Sequence, residues 1–235
     1  MHDFSGRTVI VTGGTGALGN AVVAKLIAAG ARCRVPYRDA NDAQRHPLRG
    51  DPNLTLIEAG NLADEVVVAR LYQGVSPLWA SIHIAGGFAA GKVADTDRAA
   101  LQAQLDGNLV SCFLCCRAAI GAMQSRQNSG GRIVNVAARP ALEWRTGAGM
   151  AAYAISKAGV AALTVAMAQE TAGDGILVNA VAPSTMDTPA NRKAMPKADH
   201  AAWPSVDDVA ATILFLASVD NTVTRGAVVP VYGKS

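Results

Sequence analysis

The stretch that most constrains this chain is "RTVIVTGGTGALGNAVVAKLIAAG", residues 7–30. A short apolar, β-branched run (7–12) passes through Gly13, Gly16 and Gly19 into a helical pattern (17–29) that Gly30 closes. A buried strand that turns through glycines directly into a helix implies an α/β chain. The GxxGxxG spacing lets the backbone take positive φ, approach a pyrophosphate closely, and pack helix on strand. The helix N-terminus then offers free N–H groups and a positive dipole end to an anion. A glycine turn without a ligand is the blander reading, but the strand–turn–helix context favours a dinucleotide site. Its residues are Gly13, Thr15, Gly16, Ala17, Leu18 and Gly19.

Further apolar runs at 32–37, 54–58, 80–87, 131–138, 176–183 and 227–232 read as strands, and 97–123, 150–172 and 207–218 as helices. Continuously apolar strands alternating with helices predict a single Rossmann-type, doubly wound domain spanning 1–235. About seven parallel strands should carry helices on both faces. The least regular stretch, 184–205, follows a strand's C-terminal end, where open α/β sheets bind ligands, and is expected to be a substrate loop.

Half of the 235 residues are hydrophobic and 17% are charged, enough apolar material for a packed core. A net charge of +3 without a Lys/Arg stripe argues against nucleic acid as a partner. Cys112 and Cys115 form a CxxC, but inside the apolar run "NLVSCFLCCRAAI", where a helix would bury them. Core packing is the expected role, and no metal-ligand spacing is read from the sequence. A strand pattern that begins by Thr8 leaves no room for a signal peptide, and no run approaches 18 continuous apolar residues. The expected setting is reducing cytoplasm, with no membrane partner. The helices at 97–123 and 150–172 are apolar on more than one face, which suggests pairing into a homodimer or homotetramer.

An acidic residue at the end of the second strand would hold an adenine ribose 2′-OH, whereas an Arg pairs with a 2′-phosphate. This chain places Tyr37 and Arg38 there, so NADP(H) is favoured over NAD(H). Asp39 is the acid if the strand ends one residue later. Further on, Tyr153 and Lys157 stand i, i+4 on one helix face. Bringing a Tyr hydroxyl from pKa 10 into working range takes about 3 units, or roughly 4 kcal/mol. One ammonium about 4 Å away supplies about that much at an effective dielectric near 20.

Together "TGGTGALG" and "YAISKAG" resemble the cofactor loop and catalytic motif of the short-chain dehydrogenase/reductase family. The resemblance spans the chain and implies an NAD(P)H-dependent oxidoreductase of a small molecule. It implies that Tyr153 exchanges the proton, that Lys157 also binds the nicotinamide ribose, and that Asn108 helps hold a water chain to Lys157. It implies cofactor contacts at Asn61, Leu62, Ala85, Gly86, Gly87, Pro183, Thr185 and Thr188. Three positions depart from the family pattern: Asn61 replaces a frequent Asp, "IAG" replaces "NAG", and Ala138 stands where the catalytic Ser is expected. Losing an oxyanion donor costs roughly 10²–10³ in rate.

The dihydropteridine reductases within that family keep the Tyr and Lys and also lack the Ser. "AGGFAAG" (85–91), "GMAAYAISK" and "MDTPANRKAMPKADHAAW" (186–203) are similar to their segments. The resemblance implies a quinonoid dihydropteridine-like substrate, whose conjugated ring spreads the incoming charge over nitrogens. Phe88 stands where that branch has a ring bordering the pterin, and Trp144, Trp203 and Ala138 are further candidates for the substrate slot. About two extra residues precede Tyr153 relative to that branch, and Arg38 departs from its usual Asp. Two other readings stand beside this one: a carbonyl or 3-oxoacyl reductase without the usual Ser, and a catalytically weak dinucleotide-binding or sensing protein.

Overall fold

The computed structural model describes residues 2–124 and 130–235. Seven strands form one parallel sheet in the order β3-β2-β1-β4-β5-β6-β7. They are β1 (Thr8–Thr12), β2 (Arg32–Tyr37), β3 (Leu54–Glu58), β4 (Leu78–His83), β5 (Gly131–Val136), β6 (Ile176–Pro183) and β7 (Val228–Val231). The strand order reverses between β1 and β4, whose C-terminal residues Thr12 and His83 are paired. That junction is the topological switch point, where open α/β sheets leave a crevice.

Helices cover both faces, as the continuously apolar strands require. On one face α1 (Ala17–Ala28) and α8 (Val206–Ala217) bury Val22, Leu26, Ile213 and Leu216 against the sheet. On the other lie α3 (Glu65–Tyr72), α5 (Ser111–Gln124) and α6 (Ala151–Glu170). They contribute Leu71, Cys116, Met123, Val160 and Met167 to the second core layer. Each large aliphatic side chain removed from water contributes about 1.5–3 kcal/mol. Helices α5 and α6 of that face still expose Phe113, Ile155 and Val165.

Several elements depart from the sequence reading. Helix α3 is absent from it because its "VVV" run is β-branched, a weak helix signal. The Asp64 carboxylate overrides that preference by accepting from the Val66 and Val67 amides as an N-cap. The expected strand 80–87 stops at His83. Residues 84–87 leave the sheet, and the Gly87 amide and carbonyl bond the Asn108 side chain instead. The fifth strand ends at Val136 rather than at 138, and a 3₁₀ turn, Arg139–Ala141, follows Ala138. The expected helix 97–123 is two helices, α4 (Arg98–Gln104) and α5, joined through a π-helical turn, Leu105–Val110, that contains Asn108. The stretch 184–205 holds α7 (Pro189–Ala194), and α2 (Ala40–Gln44) follows β2.

Candidate active site

A cleft of about 520 Å³ opens over the C-terminal ends of β1 and β4. Gly13, Thr15, Gly16, Ala17, Leu18 and Gly19 line it, together with Tyr37, Arg38, Asn61, Leu62, Ala85, Gly86 and Gly87. The three loop glycines have different reasons to be glycine. A Cβ on Gly13 would lie 2.7 Å from the Ala85 amide, and one on Gly19 would lie 2.1 Å from the Gly13 carbonyl. Both are required by packing. A Cβ on Gly16 meets nothing closer than 3.5 Å, and its φ of −82° suits any residue. Gly16 therefore keeps the cleft open rather than the fold intact. It is also the N-cap of α1 and offers no side chain to the first-turn amides, which carry no acidic neighbour. Those N–H groups and the helix dipole remain available to an anion.

Sequence reasoning missed other lining residues, among them Pro36, Asp42, Gly60, Gln104, Gly107 and Ser111. Gln104 and Ser111 stand four residues before and three after Asn108, spacings that could have flagged them. At the ribose end, Arg38 lines the cleft, whereas the Asp39 carboxylate caps α2, accepting from the Asn41 amide at 2.8 Å. Asn61 forms a local turn by accepting from the Ala63 amide.

Tyr153 lies in the first turn of α6 and Lys157 one turn further on. The Lys157 ammonium donates to the Val136 carbonyl at 2.8 Å, at the end of β5. Asn108, almost wholly buried, accepts from the Gly87 amide at 2.9 Å and donates to Ser156 Oγ at 3.0 Å. The Ser156 hydroxyl in turn donates to the Tyr153 carbonyl at 2.7 Å. Ser156, inside "YAISK", is thus the link from Asn108 to the Tyr153 turn, and no spacing argument singled it out. The π-turn supplies the change of helix register at Asn108, a feature frequent at functional sites.

One electrostatic expectation is corrected. The Lys157 charge was expected to bring the Tyr153 hydroxyl down. Burial instead pushes Tyr153 up to about 12. Burial also draws Lys157 down to about 8. The physical reason is that both groups lose water, while the ammonium is directed at a backbone carbonyl.

Phe88 stands edge-on to Tyr153, with ring centroids 5.1 Å apart. Phe88 is 61% exposed, so one wall of the Tyr153 surface is a flat apolar ring open to solvent. Ala138 is 5% exposed in extended backbone, immediately beyond β5. The structure does not place Trp144 in that slot. It is 78% exposed, and its indole donates to the Ala141 carbonyl. Trp203 packs at 4.6 Å against His200 within the loop after β6. Pro183 ends β6, Thr185 follows half-buried, and the Thr188 hydroxyl caps α7 by accepting from the Asn191 amide. Next to Ala138, Arg139 pairs with Glu143 at 2.7 Å and lies over the Tyr232 ring at 5.0 Å.

A family model described as short chain dehydrogenase matches residues 7–199. Galactitol 2-dehydrogenase of Rhizobium johnstonii is 32% identical over 96% of this chain and 93% of its own. The 3-oxoacyl-acyl-carrier-protein reductase of Rickettsia conorii is 30% identical over 99% of this chain and 98% of its own. Among solved structures, an oxidoreductase of the short chain dehydrogenase/reductase family from Burkholderia thailandensis superposes with a TM-score of 0.87 at 27% identity. The match covers 97% of this chain and 91% of that one.

Proposed function

The chain belongs to the short-chain dehydrogenase/reductase family, an NAD(P)-dependent oxidoreductase family, and from that membership we propose that it reduces a quinonoid dihydropteridine-like ring. The observation that carries this reading is Ala138, a buried methyl group where the family pattern expects a hydroxyl. A local carbonyl oxyanion gains most from such a donor. A conjugated ring that receives hydride spreads its charge over several nitrogens and needs a proton source and a flat surface. Tyr153 and the edge-on Phe88 offer those two things side by side.

The cradle fits a dinucleotide: an uncapped helix N-terminus, and a glycine whose missing side chain keeps the cleft clear rather than relieving a clash. The first-turn amides of α1 would hold the pyrophosphate and Arg38 a 2′-phosphate, so NADP(H) is favoured. Lys157, Pro183, Thr185 and Thr188 would flank the nicotinamide end. The bound cofactor supplies two electrons as hydride. Tyr153, protonated at neutral pH because burial holds its pKa high, supplies the proton that completes the reduction. Lys157 carries the adjacent positive charge, and Asn108, through Ser156, fixes the turn that bears Tyr153. Exposed Phe113, Ile155 and Val165 support association through α5 and α6 as a homodimer or homotetramer. Light scattering at micromolar concentration tests that association.

A carbonyl or 3-oxoacyl reductase is the second reading, favoured by the similarity to the Rickettsia enzyme. The deciding experiment follows NADPH and NADH oxidation with quinonoid dihydrobiopterin, a simple ketone and a 3-oxoacyl thioester in parallel. Turnover of the pterin alone supports the first reading and turnover of the thioester the second. Slow oxidation with every compound would point to a dinucleotide sensor.

A further inference from the structure

Behind Lys157, between the sheet and α5, lies a polar cluster that the proposed reaction does not use. β4 ends in His83, and β5 pairs Asn135 beside it in register. Cys112 and Cys116 stand one turn apart on α5, both facing inward. The sequence spacing shows a CxxC, Cys112 and Cys115, for which core packing and no metal was the expectation. The fold instead turns Cys115 toward Tyr72 and joins Cys112 to Cys116 and to a histidine 29 or more residues upstream. We propose that His83, Cys112, Cys116 and the side-chain carbonyl of Asn135 form a binding site for a thiophilic divalent cation of the zinc type.

The ligand atoms of His83, Cys112 and Cys116 lie within 4.8 Å of one another, close enough to converge on one ion. Bond lengths of about 2.3 Å to sulfur and about 2.0 Å to imidazole nitrogen imply about 3.8 Å between two sulfurs and about 3.5 Å between sulfur and nitrogen. Cys112 and Cys116 sulfurs are 4.0 Å apart, and Cys116 Sγ is 3.3 Å from His83 Nδ1. Asn135 Oδ1 accepts from Cys116 Sγ at 3.4 Å and from His83 Nδ1 at 2.8 Å, so an ion that replaces those protons would have this oxygen beside it as a fourth donor. Two sulfurs and an imidazole form a soft donor set, which selects zinc-like ions over magnesium or calcium.

The surroundings also suit a ligand histidine, whose second ring nitrogen normally has a partner of its own. His83 Nε2 lies 2.8 Å from Ser81 Oγ and 3.3 Å from the Tyr72 hydroxyl. Without an ion, Nδ1–H donates to Asn135 Oδ1 at 2.8 Å, since an amide oxygen only accepts; binding would move the ring proton to Nε2, where the Ser81 hydroxyl can accept it. Asn135 Nδ2 donates to Thr164 Oγ1 at 2.9 Å, which fixes Oδ1 toward the cluster. Binding releases the thiol protons still present to solvent, and the two thiolates neutralise a divalent charge that a dry interior would otherwise reject. Four protein donors leave no open position, so the ion would be structural, clamping β4, β5 and α5 together.

The test is to refold the protein with Zn²⁺ or Co²⁺, remove weakly held metal by dialysis, and measure metal per chain and the absorption spectrum. The expected result is one ion per chain, a thiolate-to-cobalt charge-transfer band, and tetrahedral cobalt bands. Cys115→Ala should keep them, and Cys112→Ala and Cys116→Ala should lose them. Wild-type protein that folds but retains no ion, or cobalt without the thiolate band, would overturn the site whatever the variants do. Retention of the ion in both Cys112→Ala and Cys116→Ala would also overturn it.

Discussion

Lys157 donates to the Val136 carbonyl at 2.8 Å and so joins the middle of the site to the end of β5, two residues before Ala138. This bond does not fully replace lost hydration, and burial lowers the Lys157 pKa from 10.5 to about 8. Below about pH 8 the folded state therefore carries the cost of a buried ammonium. Between about 8 and 10.5 the unfolded chain binds more protons than the folded one, so this contribution to stability rises with pH. The shift corresponds to roughly 3 kcal/mol. Lys157→Met is expected to melt higher than wild type at pH 7, with the gain fading toward pH 10.5. A gain that does not change with pH would exclude ionisation as its cause.

Turnover should follow the opposite course. If the Lys157 charge assists proton delivery, kcat/KM for reduction should fall above about pH 8, where that charge is lost. Tyr153, held near 12, should contribute no limb below pH 9. Tyr153→Phe is expected to lower turnover by at least about 10², the low end for removing a positioned general acid. A Tyr153→Phe enzyme of near wild-type activity would move the proton source to water or another residue.

The glycine loop gives a separable pair of variants. Gly16→Val should weaken cofactor binding by at least about tenfold, roughly 1.4 kcal/mol, and leave the melting temperature almost unchanged. Its Cβ meets only the Gly13 carbonyl, at an ordinary contact distance of 3.5 Å. Gly19→Ala should lower the melting temperature, because its Cβ would fall within 2.1 Å of the Gly13 carbonyl. If both variants lose only stability, the cleft is not the cofactor site.

These contrasts also show what the sequence made legible. Strand–helix alternation and the glycine spacing were enough to specify a sheet of about seven parallel strands and its glycine loop, because period and turn chemistry are local, whereas the strand order that puts the cleft at the switch point was not. Tyr153 and Lys157 were legible because four residues is one helical turn. Ser156 was not, because its importance is a tertiary contact to Asn108, 48 positions away. Nor was the release of residues 84–87 from the sheet, which depends on a buried amide side chain and not on local propensity. The desolvation that raises Tyr153 likewise belongs to the packed site rather than to any residue's spacing.

Cofactor choice rests on Arg38. Arg38 lines the cleft, whereas its neighbour Asp39 is not among the lining residues and turns Oδ1 to the cap of α2. Arg38→Ala should weaken NADPH by about 1.5–3 kcal/mol, the range for charged hydrogen bonds, and leave NADH nearly unchanged. Equal losses for both cofactors would make Arg38 a structural residue.

The last prediction concerns Ala138. Its backbone, φ −162° and ψ 162°, is extended and suits any residue, so the chain path itself does not exclude a serine. The variant Ala138→Ser tests the substrate as the reason for the missing hydroxyl. If the substrate is a conjugated quinonoid ring, Ala138→Ser should leave its kcat/KM unchanged or lower it, because an unpaired buried hydroxyl costs about 1–3 kcal/mol. A small ketone should gain, by up to roughly 10²-fold, since its developing alkoxide is local and one added donor can reach it. Opposite movement of two substrates in the same variant controls for general damage to the fold. Both kcat/KM values, measured in wild type and variant, decide the matter. A large gain for the ring would mean that the chain lacks a serine it could use, and a loss for both would place Ala138 in packing and remove the argument for a special substrate.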